Sequence, residues 1–272
     1  MITFVVLVST RACAIVPAYE AERTVGAVVR ALVQAWPERD AVYVIDDGSR
    51  DRTAAEARAA GARVIVQPRN FGKGAALRRG MAIARDAGFD VAVSVDADGQ
   101  HPPDEAARLL TVDADASALV LGVRDLERDG APRANRMSNG ISNFFLSLFT
   151  RRPLLDTQCG LRRYPLALTM GLDGRDEGYA FEAEIILRAV AGGVRIVEEP
   201  VRVVYPPAHE RVSHFHSVRD PARIVARVVR TLVLTRGLRR VPGAQVPPPA
   251  AARSQERARA SADAAPTSAN AP

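Results

Sequence analysis

Residues 91–100 read Val91-Ala92-Val93-Ser94-Val95-Asp96-Ala97-Asp98-Gly99-Gln100, a short β-branched run that stops at two acids and a glycine. An apolar run of this length bounded by turn residues reads as a buried strand. Polar residues at its carboxyl end fall where an open parallel sheet gathers its ligands. Working outward, the same unit recurs: residues 13–16, 42–45 and 64–66 read as earlier strands and 119–121 as a fifth. Between them lie Ala-rich helical stretches at 22–35, 51–60 and 74–87. That alternation predicts βαβ units and an α/β fold, a Rossmann-like, mostly parallel sheet flanked by helices.

Past about residue 125 the alternation stops. A polar basic loop is expected to lead into residues 141–149, where Ile141, Phe144, Phe145, Leu148 and Phe149 recur at helical spacing, either as core or facing lipid. Residues 179–191 read as a helix, 194–197 and 201–205 as short strands, and 221–235 as a basic amphipathic helix. That helix carries Val225, Val228, Val229 and Leu232 on one side and Arg223, Arg227 and Arg230 on another, so it packs on the domain or lies in an anionic membrane interface. The expected divisions are an N-terminal extension at 1–11, one domain at 12–216, the basic helix at 217–240 and a disordered Pro/Ala-rich tail at 241–272.

The chain has 272 residues, a formal net charge of +6 and 25% charged residues. Such a balance favours polyanionic partners: nucleic acid, anionic lipid head groups or phosphorylated substrates. Interleaved aromatics and a recognition-helix motif are absent, so no nucleic acid is expected. Cys13 and Cys159 are too few for a disulfide framework, which points to a reducing, cytoplasmic setting. The apolar opening, residues 2–8, is far short of the roughly 20 residues a spanning helix needs. Any membrane contact is therefore expected to be peripheral, at the inner face.

Four strand-to-helix loops carry the polar chemistry: Pro17-Ala18-Tyr19-Glu20, Asp46-Asp47-Gly48-Ser49, Asn70-Phe71-Gly72-Lys73-Gly74 and Asp96-Ala97-Asp98-Gly99-Gln100. Asp96 and Asp98 are spaced so that a turn brings both carboxylates toward one hard divalent cation, Mg2+ or Mn2+, with Gln100 as a further oxygen donor. The alternative is an ordinary Asp-Gly turn. One of Asp46 and Asp47 is expected to be structural and the other to meet a nucleobase or ribose. Lys73, at a helix start between two glycines, is a candidate phosphate binder, although P-loop spacing is absent.

With these loops in order, the chain resembles the dolichol-phosphate mannose synthase branch of family 2 glycosyltransferases, which have the GT-A fold. The matching segments run from Ile15-Val16-Pro17-Ala18-Tyr19 through the four loops to Asp156-Thr157-Gln158-Cys159-Gly160-Leu161-Arg162 and Phe181-Glu182-Ala183-Glu184. The resemblance implies transfer of a hexose from a UDP- or GDP-sugar, with anomeric inversion, to a polyprenyl phosphate or other lipid or envelope-glycan acceptor. It assigns Pro17, Tyr19, Glu20, Asp46 and Asp47 to the nucleotide, and Asp96, Asp98 and Gln100 to the metal. It makes Asp156 the candidate catalytic carboxylate, with Glu182 and Glu184 behind it. For a hydroxyl acceptor that carboxylate is a general base; for an already anionic phosphate it only positions the nucleophile.

Arg211, Ser213 and His214 lie where such synthases have a basic Ser-Lys turn over the donor diphosphate, with His214 in place of the lysine, and are expected to act as a lid. Arg124, Arg133 and Arg136 lie where related transferases place an acceptor phosphate, a task suited to the planar guanidinium. The family usually has Asn after the tyrosine, whereas this chain has Glu20. Competing readings are a sugar-phosphate nucleotidyltransferase and a degenerate transferase that only binds nucleotide sugars.

Overall fold

The computed structural model describes residues 10–38, 40–112 and 115–205. Arg211, Ser213, His214, the basic helix at 217–240, the tail at 241–272 and nearly all of the 1–11 extension lie outside the described residues. The elements in chain order are β1 (Ala12–Ala18), α1 (Val25–Ala35), β2 (Val42–Asp46), α2 (Thr53–Ala59), β3 (Arg63–Val66), α3 (Lys73–Asp86), β4 (Val91–Ser94), α4 (Pro103–Arg108), β5 (Leu119–Arg124), α5 (Arg133–Thr150), β6 (Arg162–Pro165), α6 (Leu166–Gly171), α7 (Ala180–Ala191) and β7 (Ile196–Val201).

One seven-stranded sheet runs β3-β2-β1-β4-β6-β5-β7. The expected α/β architecture is present, and every pairing is parallel except those of β6, which is antiparallel to β4 and β5. β1 and β4 are apolar and buried because helices cover both faces. Pro17 ends up inside β1. Pairing with β4 stops at Ile15, so beyond that point β1 has a partner on one side only and tolerates a missing N–H.

Three expectations are corrected. No strand was expected over Arg162-Arg163-Tyr164-Pro165, where two adjacent charges in a four-residue run hide β6. Both arginines are instead buried and hydrogen-bonded to carbonyls. Arg162 donates to the carbonyls of Cys159, Thr157 and Glu182 at 2.7 to 2.9 Å. Arg163 donates to those of Leu109, Leu110 and Asp115, just past the end of α4. The expected strands at 194–197 and 201–205 are one edge strand, β7, where Glu198, Glu199 and Pro200 are tolerated because one side has no ladder to complete.

The third correction concerns the basic loop and the aromatic stripe. Arg133 and Arg136 belong to the first turns of α5, which starts directly after Pro132. The stripe divides: Ile141, Phe144 and Leu148 are exposed together with Met137, whereas Phe145 is half-buried and Phe149 packs against the core; Ser138, Asn139, Ser142, Leu146 and Thr150 face inward. Among the described residues no helix is long and apolar enough to cross a membrane.

The Gly-Lys-Gly triplet has a packing explanation. A methyl at Gly74 would lie 2.6 Å from both the Asp176 carbonyl oxygen and Phe181 Cβ, so the start of α3 meets the start of α7 with backbone nearly touching backbone. Replacing Gly74 with Ala should therefore cost about 1–3 kcal/mol of overpacking strain. A urea denaturation curve whose midpoint does not move would contradict this account of the contact.

Candidate active site

The carboxyl ends of β1, β2 and β4 and the starts of α3 and α7 open on a cavity of about 390 Å3, a size suited to a small-molecule site. Of the residues expected to serve a site, Pro17, Tyr19, Asp47, Lys73, Asp96, Asp98, Gln100, Arg124 and Glu182 line it together. Glu20, Asp46, Asp156, Glu184, Arg133 and Arg136 are not in its wall. The sheet thus gathers residues 17 to 182 along one rim by ending its parallel strands on the same side.

The acidic pair after β2 is fully engaged. Asp46 accepts the amide of Ser49 at 3.0 Å and closes the turn. Asp47 accepts from Gln67 Nε2, Phe71 N and Gly72 N at 2.7 to 2.9 Å, clamping the loop before α3 against the end of β2. Glu20 holds a left-handed backbone (φ 50). Its amide donates to Ser49 Oγ and its carboxylate accepts from Arg50 N, so it joins the first loop to the second.

Lys73 stands at the start of α3 and in the cavity wall, with partners that its sequence position did not reveal. Its ammonium sits 2.7 Å from Asp96 Oδ1 and 3.1 Å from Glu182 Oε2, already balanced by two carboxylates. Burial works against both charges. For Asp96, however, Lys73, His101 and Arg124 outweigh it and hold the carboxyl below its ordinary range, and for Lys73 the two acids raise it. Asp98 lacks that help. Burial and the neighbouring Asp96 push its carboxyl up to about 6, with only the Gln100 amide bond and more distant cations opposing.

Asp156 is completely buried and bonded at each oxygen. Arg124 reaches it through Nε at 2.7 Å and Nη2 at 3.0 Å, and the amides of Arg124 and Gln158 add two more hydrogen bonds. A carboxylate so occupied orients the guanidinium, whose Nη1 is the nitrogen Asp156 does not engage. Arg124 itself lines the cavity. Glu184 turns away, binding Arg188 and the amides of Arg175 and Asp176, so it shapes the loop before α7.

Sequence reasoning passed over His101, Thr157, Gln158, Asn135 and Tyr179, all in the cavity wall. His101 is buried with Nδ1 unpartnered and Nε2 4.0 Å from Cys159 Sγ; burial pushes it down to about 4, so it is neutral at pH 7. Its position directly after Gln100 was the available signal. Thr157 and Gln158 are held from behind by α5. Asn143 Oδ1 accepts from the Thr157 amide at 2.9 Å, Ser142 bonds the Thr157 hydroxyl at 2.8 Å, and Ser138 bonds the Gln158 side chain.

The donors near Asp98 are oxygens: its carboxylate, the Gln100 side chain and, behind the Lys73 contact, Asp96. Among the described residues no three His, Cys, Asp or Glu side chains converge as a metal cluster. The destabilised charge on Asp98 and this all-oxygen set nevertheless fit a hard divalent cation completed by a ligand's oxygens. Without a cation, a carboxyl whose folded-state pKa is raised favours folding when protonated. That contribution is full below the ordinary value of 3.8 and is lost as pH rises through about 6. With chelator present, Asp98→Asn should therefore raise the melting temperature more at about pH 7.5 than at about pH 4.5. Equal shifts at the two pH values would show that Asp98 carries no such penalty.

Comparison with known proteins shows the family. The sequence profile of Glycosyl transferase family 2 matches residues 13–166, more than half of the chain. Undecaprenyl-phosphate mannosyltransferase of Micrococcus luteus is 30% identical over 205 residues, covering 71% of this chain and 84% of that protein. Polyprenol monophosphomannose synthase of Mycolicibacterium smegmatis is 32% identical over 209 residues, covering 70% and 76%. Among solved structures, glucosyl-3-phosphoglycerate synthase from Mycobacterium tuberculosis, crystallised with Mg2+ and uridine diphosphate, superposes with a TM-score of 0.65 at 22% identity, covering 86% of this chain and 82% of that one, a likeness of fold. The chain belongs to glycosyl transferase family 2.

Proposed function

We propose that this glycosyltransferase moves a hexose from a nucleoside-diphosphate sugar to a polyprenyl phosphate, with inversion and with the help of a divalent cation. The observation that carries the reading is one cavity holding both Asp98 with Gln100 and an arginine, Arg124, locked in orientation by a buried carboxylate. The first pair suits a cation bound to a diphosphate; the second suits a phosphate monoester. The curated relatives named above support the acceptor class, since their names specify undecaprenyl phosphate and polyprenol.

An oxygen of the acceptor phosphate attacks the anomeric carbon as the bond from that carbon to the donor diphosphate breaks. The leaving group is the nucleoside diphosphate, and one displacement inverts the centre. The nucleophile is already anionic, so no general base is required, consistent with Asp156 being spent on Arg124. Tyr19 and Pro17 border the nucleoside end of the cavity, and Asp47 holds the loop that walls it. A cation at Asp98 and Gln100 supplies charge neutralisation for the departing diphosphate.

Purified protein incubated with polyprenyl phosphate, Mn2+ and either UDP- or GDP-sugars should release the matching nucleoside diphosphate and form a lipid-linked sugar seen by mass spectrometry. Asp98→Ala should lower the rate by roughly 100-fold or more. Pyrophosphate exchange in place of diphosphate release would instead establish nucleotidyl transfer, and binding without turnover a degenerate transferase.

The outward face of α5 favours a lipid acceptor independently. Met137, Ile141, Phe144 and Leu148 are 63%, 42%, 64% and 59% exposed along one face, with Arg133 and Arg136 at one end and Arg151 and Arg152 just past the other. An apolar stripe between basic ends matches an anionic membrane surface. Phe144→Glu with Leu148→Glu should weaken sedimentation with phosphatidylglycerol vesicles about tenfold or more while sparing activity on a water-soluble short-chain acceptor. Unchanged vesicle binding would assign the stripe elsewhere.

A further inference from the structure

Lys73 is a buried cation in a place where a second cation is expected. Its ammonium touches Asp96 and Glu182, and 13% of its side chain is exposed. It is held there by the backbone. α3 begins at Lys73, and a methyl on either neighbouring glycine would come within 2.6 Å of the carbonyl oxygens of Glu177 or Asp176. The far oxygen of Asp96 is backed by Gly160, where a methyl would lie 2.1 Å away. Asp96 is therefore wedged between a fixed ammonium and a peptide backbone, while Asp98 and Gln100 line the cavity beside it.

Resting on the metal-dependent reading above, we propose that Lys73 is an internal counter-cation. It occupies Asp96 in the donor-free protein and keeps affinity for a divalent cation low until a diphosphate arrives. A divalent ion drawing on Asp96 meets the repulsion of an ammonium already on that carboxylate, in a site partly shielded from water where such repulsion is strong. A diphosphate brings negative charge and oxygen ligands, which offset both cations together. Cation and donor then load as a coupled pair, each strengthening the other by the same factor. Lys73 acts here as a positioning residue, through Asp96 and the charge of the site.

The test is Mn2+ binding by the full chain, read from the electron paramagnetic resonance signal of free Mn2+, alone and with UDP or GDP. Wild-type protein should bind Mn2+ weakly alone and at least about tenfold more tightly with one of the nucleotides. Lys73→Met and Lys73→Gln, which remove the charge, should bind Mn2+ alone at least about tenfold more tightly than wild type, while Lys73→Arg stays close to wild type. Circular dichroism identifies the variants that remain folded. Folded neutral variants that bind Mn2+ no more tightly than wild type overturn the proposal and leave the metal reading intact, because wild type still responds to nucleotide.

A second comparison asks whether the effect of Lys73 runs through Asp96. Lys73→Met should tighten donor-free Mn2+ binding at least about tenfold in the wild-type background and distinctly less in Asp96→Asn protein, where the carboxylate it would free is gone. Equal gains in the two backgrounds overturn the proposal. Failure of wild type to bind Mn2+ with either nucleotide sinks the metal reading, and the proposal with it.

Discussion

Two guanidinium groups sealed away from water constrain much of this structure. Arg162 and Arg163 point to opposite faces of β6, and neither can remain buried unless every nearby carbonyl stays in place. Arg162 thereby ties the 157–159 loop to the start of α7, and Arg163 fixes the turn after α4. The reversed direction of β6 sets where those groups land. Ser94 adds a 2.6 Å bond from β4 to the Gly160 carbonyl, which seats Gly160 against Asp96. The acidic loop after β4 and the Arg124 anchor are thus joined through one charged strand.

Around the cavity, charges alternate rather than accumulate. Arg124 faces Asp156, Lys73 faces Asp96 and Glu182, and Asp98 has the least compensation. A site organised this way is specific about where new positive charge is welcome. It also sets Arg124, on the side of β5, apart from the Asp98 loop, on the side of β4. On the proposed reading, that separation keeps the charges of donor and acceptor from colliding.

Much of this was readable in the sequence, for a physical reason. β1, β2 and β4 are buried on both faces, so they must be continuous apolar runs, and the acids that follow them mark where burial ends. Asp46, Asp47, Asp96 and Asp98 are visible for that reason alone. β6 was hidden because its buried arginines lean on carbonyls, those of Glu182, Leu109, Leu110 and Asp115 among them, that no local pattern records. The partners of Lys73 were hidden in the same way: its helix-start position is local, but they lie 23 and 109 positions along the chain. α5 was legible only in part, because helical periodicity reveals a two-faced helix without saying which face is inside.

The polar seat of α5 has a mechanical meaning. A helix seated on grease can slide and rotate a little at small cost, whereas one seated on Ser138, Ser142 and Asn143 is pegged by directional bonds. Whatever grips the oily outer side therefore holds a tie rod whose other end is Thr157 and Gln158, in the cavity wall. If α5 docks on a lipid surface as proposed, docking and alignment of the reactants become one rigid act.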